Sequence, residues 1–247
     1  RAPTASALAA AAAEALDAAC ASAGCGNFAL RLALPHSAGA RCCSAMADGS
    51  ALVTGAMDNL VRVWSPQPPL GDEAPAPLRV LAGHEVARGV AGVLALCALP
   101  GGQLASAGRD GKILIWDCAE LGPSAGGGAG GAPLERIEGH GDGSGKEVTN
   151  KQVVVALAHQ PRGGGVLLSA GWDQTVRAWR REPAAAPLAP SGVQAHEQAV
   201  LAVAALTDGR VASGAGDGAL HVWSVLPDGG FGKEAEARGN CVVRGLA

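Results

Sequence analysis

The chain has 247 residues, 48% of them hydrophobic, and its 19 basic and 22 acidic side chains leave a formal net charge of −3. That length suits one large or two ordinary domains. The mildly acidic balance argues against nucleic acid as a primary partner. Seven cysteines at irregular spacing, Cys20, Cys25, Cys42, Cys43, Cys97, Cys118 and Cys241, outline neither a disulfide framework nor a tetrahedral metal set. They read as reduced thiols of an intracellular protein, with no metal and no cofactor. The apolar run 7–13 is interrupted by Glu14 and Asp17, so no membrane span or secretory signal is expected. The chain starts at Arg1 without a methionine and reads as a piece of a longer one.

Residues 1–26 are an Ala-rich lead-in that favours a helix over 4–22 by propensity but offers little surface to bury, so a frayed segment is the plainer reading. From Asn27 short alternating runs take over. "FALRLAL" (28–34), "CCSAMA", "ALVTGAM" and "LVRVWS" read as four strands with turns at Asp48-Gly49 and Asp58-Asn59, one blade's worth of sheet. "LRVLAGH", "VLALCALP", "QLASAGR" and "KILIWD" repeat the pattern, with turns at Pro100-Gly101-Gly102 and Asp110-Gly111. The third unit opens at "LERIEGH" and carries the insertion "GDGSGKEVTNKQ" before "VVVALAHQ". This Gly-rich insertion is no phosphate loop, because Glu147 follows Gly145-Lys146 and His140 stands five residues before Gly145. Gly126, Gly128 and Gly131 spell GxGxxG by accident, with no helix to follow. The fourth unit runs from "VQAHEQAV" to "LHVWSV", and "CVVRGLA" resembles the first strand of a fifth that lacks its histidine. Pro- and Gly-rich stretches ("PQPPLGDEAPAP", "CAELGPSAGGGAGGAP", "EPAAAPLAPSG") read as extended loops on one rim. His159 and His221 fall outside the repeated pattern and read as strand residues.

One spacing recurs four times. Thr54, Ser106, Ser169 and Ser213 each stand four residues before an aspartate (Asp58, Asp110, Asp173, Asp217) and ten before a tryptophan (Trp64, Trp116, Trp179, Trp223). One histidine lies upstream of each set: His36, His84, His140, His196. A buried indole N–H needs an acceptor, and a hydroxyl on the neighbouring strand supplies it. Ser, His and Asp also suggest a hydrolase triad, but a trio repeated four times, each with a tryptophan, has no single nucleophile site.

Self-similarity with "GH" opening and Trp closing each unit resembles the WD40 repeat over residues 27–247. The resemblance implies an all-β propeller with repeats at about 27–65, 78–117, 134–180 and 191–225 and a fifth beginning near 232, part of a ring that commonly has about seven blades. It implies that each His, Ser or Thr, Asp and Trp set is a structural hydrogen-bonded tetrad. It also implies a non-catalytic protein-binding platform with no small-molecule substrate, whose partners dock on the rim carrying the Asp turns. Residues just before each Asp lie on that rim: Met57, Arg109, Trp172 and Gly216. Arg109 and Trp172 are the types most frequent in binding hot spots; packing of Trp172 on its neighbouring strand is an equal alternative. More narrowly, "LLSAGWDQTVRAW", "AHEQAVLAVAALTDGRVASGAGD" and "VRGLA" resemble the propeller of the phospholipase A2-activating protein family. That would imply a ubiquitin-binding adaptor in protein turnover, with ubiquitin and an AAA+ segregase as partners, in the cytoplasm and nucleus. The alternative is a scaffold subunit of another assembly without ubiquitin affinity.

Overall fold

The computed structural model describes residues 34–67, 75–86, 91–118, 131–138, 140, 152–162, 164–181, 186–226, 230–239 and 241–243. The lead-in 1–26, residues 28–33 of the strand expected at 28–34, most of the third-unit insertion and residues 244–247 of the fifth unit lie outside them.

Among these residues sixteen strands form four antiparallel sheets of four strands each. The first sheet runs β1 (Ala40–Ala45), β2 (Leu52–Ala56), β3 (Leu60–Trp64) and β4 (Arg79–Ala82). The second contains β5 (Val93–Leu99), β6 (Gln103–Gly108), β7 (Lys112–Asp117) and β8 (Glu135–Glu138). The third contains β9 (Val154–Gln160), β10 (Val166–Gly171), β11 (Thr175–Arg180) and β12 (Ala189–Ala195). The fourth contains β13 (Val200–Ala205), β14 (Arg210–Ala215), β15 (Ala219–Val225) and β16 (Phe231–Arg238).

Two expectations are corrected here. The strand ahead of each histidine pairs with the strand ending at the previous tryptophan, so blade and sequence unit are offset by one strand. The first blade is therefore 40–82, not 28–65, and β16 completes the fourth blade. In addition, "EPAAAPLAPSG" is not all loop, because β12 begins at Ala189. Pro190 is accommodated where the register shifts, on an outer strand that needs no continuous ladder of donors.

The core lies between blades. Val53, Val61, Val63 and Leu81 of the first blade pack with Val93, Leu104, Leu114 and Trp116 of the second. Ile113, Ile115 and Ile137 meet Val154, Leu167 and Trp179 across the next boundary, and Val166, Leu168 and Val176 meet Val200, Val211 and Trp223 across the third. Trp116, Trp179 and Trp223 thus face the preceding blade. Both faces of the middle strands are buried, which is why β6 and β10 read as nearly continuous runs of buried residues. The inner strands β1, β5, β9 and β13 follow one another in space. Residues 241–243 continue the series: Val243 lies against Gly214 of β14 as Val93 lies against Gly55 of β2, and its N–H bonds the Ala215 carbonyl. That is the place of a fifth inner strand.

The rim bearing the Asp turns has its own regularities. The residue after each Asp has positive φ: Asn59 (64°), Gly111 (74°), Gln174 (70°) and Gly218 (84°). Each inner strand carries one extra residue where it meets this rim: Arg41, Leu94, Val155 and Leu201. Such bulges bend a strand and re-aim a side chain.

Candidate functional site: the Asp-turn rim

Ten residues separate each hydroxyl from its tryptophan. In the second blade Trp116 lies opposite Leu104, so Ser106 is its diagonal neighbour on the same face. Trp116 Nε1 donates to Ser106 Oγ at 2.8 Å, and Ser106 Oγ lies 2.8 Å from His84 Nε2. Because the indole donates, the hydroxyl accepts it and sends its own proton to Nε2. This leaves His84 Nδ1–H to donate to Asp110, whose oxygens lie at 2.9 and 3.1 Å. The N–H groups of Glu85 and Lys112 also donate to this carboxylate. Burial works to raise the Asp110 carboxyl, but the hydrogen bond from His84 and those from the two amides hold it below the ordinary value. The third blade repeats the chain: Trp179 to Ser169 at 2.9 Å, Ser169 with His140 at 2.8 Å, and His140 with Asp173 at 2.8 Å. The histidine follows the outer strand of one blade while its three partners belong to the next, so each chain fastens two blades together.

The first and fourth sets stay open. Trp64 donates to Thr54 at 2.8 Å, but both nitrogens of His36 are buried without a partner among the described residues, and its ring meets Trp64 edge-on. Asp58 is taken instead by Arg62, which reaches both carboxylate oxygens, and by Ser37. In the fourth blade Trp223 and His196 both bond Ser213, at 2.7 and 2.8 Å, yet His196 Nδ1 is buried and unpaired. Asp217 pairs with Arg238 of β16. The His196 ring stacks on His221 at 4.1 Å. Burial first, then the neighbouring His221, depresses the His196 pKa to about 4. The absent fifth histidine also has its position: the N–H of Gly239 bonds the Gly218 carbonyl as that of His140 bonds Gly111 and that of His196 bonds Gln174.

Of the rim residues, Arg109 and Trp172 come together across the boundary between the second and third blades. The Arg109 guanidinium carbon lies 6.0 Å from the Trp172 ring centroid, and Trp172 is 36% exposed. Met57 is half-buried and lies against Gly92, and Gly216 lies beside Leu201. The spacing argument passed over Arg41 and Val86. Arg41 is exposed through the β1 bulge, which no short pattern announces. Val86 is 62% exposed, one residue after the Glu85 amide that bonds Asp110. The thiols of Cys42, Cys97 and Cys118 are pushed up by burial to about 12, about 12 and about 11, and the cysteines among the described residues are free. No group of His, Cys, Asp and Glu among the described residues is arranged to hold a metal, and no helix among them is long and apolar enough to cross a membrane.

The family model "WD domain, G-beta repeat" matches residues 30–65, 75–117 and 190–224. The unit with the insertion falls outside these matches although its tetrad is closed. A curated relative, the ribosome biogenesis protein WDR12 homolog of Chlamydomonas reinhardtii, is 31% identical over 202 residues, covering 76% of this chain and 43% of the relative. This chain therefore spans less than half of that relative's length. Two solved structures share the fold. A chain of the mitotic checkpoint complex matches with a TM-score of 0.62 and 20% identity, over 85% of this chain and 58% of that one. The computationally designed Ika8 protein matches with a TM-score of 0.58 and 23% identity, over 86% and 53%. Three matched repeats and four sheets of one design show that this chain is built of WD40 repeats.

Proposed function

We propose that this chain is a non-catalytic scaffold subunit that docks a protein on its Asp-turn rim, and that the assembly it serves acts in ribosome biogenesis. The observation that carries the docking site is the Arg109–Trp172 pair. A half-exposed indole under a guanidinium, at the seam of two blades, is a rigid amphipathic anchor of the type that dominates binding energy. Support for the assembly comes from the WDR12 homolog. In the second and third blades Ser, His and Asp have their polar atoms turned to each other and to tryptophan inside blade boundaries, an arrangement suited to holding blades and not to attacking a substrate.

Affinity capture with the tagged chain, followed by sedimentation of what is captured, tests both parts. Co-sedimentation with ribosomal precursor particles, lost in Trp172→Ala while the melting temperature stays within about 2 °C, is the expected result. A partner retained by Trp172→Ala removes the site, and a partner unrelated to ribosome assembly removes the assignment. The ubiquitin-adaptor reading rests on sequence resemblance alone, and its "VRGLA" segment begins at Val243, the last residue described. A ubiquitin titration that saturates would revive it.

A further inference from the structure

Among the described residues, most of the rim's charges are matched internally. Arg62 pairs with Asp58, Arg177 with Asp173, and Arg238 with Asp217 and Glu197. Lys112 and Arg136 share Glu85. Arg109 differs. No acid and no hydrogen-bond acceptor meets its side chain among the described residues, its Nε is buried without a partner, and only the Trp172 ring lies beneath its guanidinium. Arg41, lifted out by the β1 bulge, is a second cation of this rim that meets no acid among the described residues. A guanidinium stacked on an aromatic ring keeps its N–H edges free for a carboxylate. The rim also carries apolar side chains: Trp172, beneath this charge, is 36% and Val86 62% exposed, and the other bulge residues, Leu94, Val155 and Leu201, are half-buried aliphatics.

We propose that the rim takes an acidic protein segment, with a partner carboxylate on the free edge of Arg109 and an adjoining apolar side chain on Trp172. This deepens the docking reading and rests on it. Acidic protein is favoured over RNA by the same charge census. A nucleic acid gains affinity by neutralising a run of phosphates with several cations, whereas most cations among the described rim residues are already neutralised and the whole chain is net negative.

The test uses the full 247-residue chain and three fluorescent probes in low salt: a peptide of alternating Glu and Leu, the same peptide with Gln for Glu, and oligouridine. The acidic peptide should bind and the neutral one should not, with affinity falling as salt is raised. Arg109→Gln should weaken acidic-peptide binding by about tenfold, and Arg109→Glu should abolish it, with melting temperatures close to that of the parent. Equal binding of acidic and neutral peptides, preference for oligouridine, no binding of the acidic peptide, or unchanged binding by Arg109→Glu would each overturn the inference. Its failure is separable from that of the docking reading. A captured partner lost in Trp172→Ala but held by Arg109→Glu refutes the acidic segment and leaves the docking site standing; a partner held by both variants removes the docking site itself.

Discussion

Replacing Asp110 by alanine should destabilise this protein far more than the same change at Asp217, although the two occupy equivalent places in the sequence repeat. The Asp110 side chain is 3% exposed, and it accepts from His84 Nδ1 and from the amides of Glu85 and Lys112, at 2.9 to 3.2 Å. Alanine strands the imidazole N–H, which belongs to a side chain 1% exposed, and frees the loop that follows β4. A hydrogen bond to a charged group contributes about 1.5 to 3 kcal/mol, and removing one member of a buried pair costs about 3 to 5 kcal/mol. At roughly 2 to 4 °C per kcal/mol for a chain of this size, Asp110→Ala should melt about 6 to 20 °C below the parent. Asp217 makes no bond to His196; it caps the Ala219 amide and pairs with Arg238 at an exposed position, where ion pairs contribute little. Its alanine variant should therefore melt close to the parent. Calorimetry of both variants at neutral pH decides the matter. Equal losses, or an Asp110→Ala melting temperature within about 2 °C of the parent, would refute the claim that the closed tetrad fastens these blades.

Other perturbations follow from the same geometry. The His196 pKa is depressed from the ordinary 6.5 to about 4, so between those values the unfolded chain takes up a proton that the folded chain does not. Stability should fall as pH is lowered through that window, and a His196→Gln variant titrated by urea denaturation should show a shallower fall; an identical slope would remove His196 as the cause. A methyl group at Gly55 would come 2.6 Å from Cys42 Sγ and 2.7 Å from Val93 Cγ1. Gly55→Ala should therefore cost about 1 to 3 kcal/mol by overpacking the first blade boundary, and a melting temperature equal to the parent's would show that the boundary yields. Gln174 sits at φ 70° in a turn whose equivalents in the second and fourth blades are glycine. Gln174→Gly should raise stability by up to about 1 kcal/mol, and a lower melting temperature would count against strain at that turn.

How far the fold was legible depended on how local its causes are. The offsets of four and ten residues lie within one hairpin, where strand register converts spacing directly into contact, so Ser106–Trp116 and Ser169–Trp179 could be named from the sequence. Blade boundaries were harder, because the β3–β4 and β7–β8 pairings cross connections whose length no pattern fixes. The bulges that expose Arg41 and half-bury Leu201 left no trace in residue type.

Closure of a tetrad is decided by competition for the carboxylate, which a list of matching letters does not record. In the second blade the residue four after the Asp is Leu114, an aliphatic side chain that makes no claim on Asp110, and His84 keeps it. In the third blade Arg177 takes one oxygen of Asp173 and leaves the other to His140. Arg62 in the first blade reaches both oxygens of Asp58, and His36 is excluded. The fourth blade has His221 at that place, which stacks on His196, while a cation from the outer strand, Arg238, draws Asp217 away. Four sets with the same spacing therefore hold their blades with different strength, the second most firmly. Arg109 follows the same rule: it adjoins the carboxylate His84 has already claimed, and its charge is left over the Trp172 ring with no acid among the described residues.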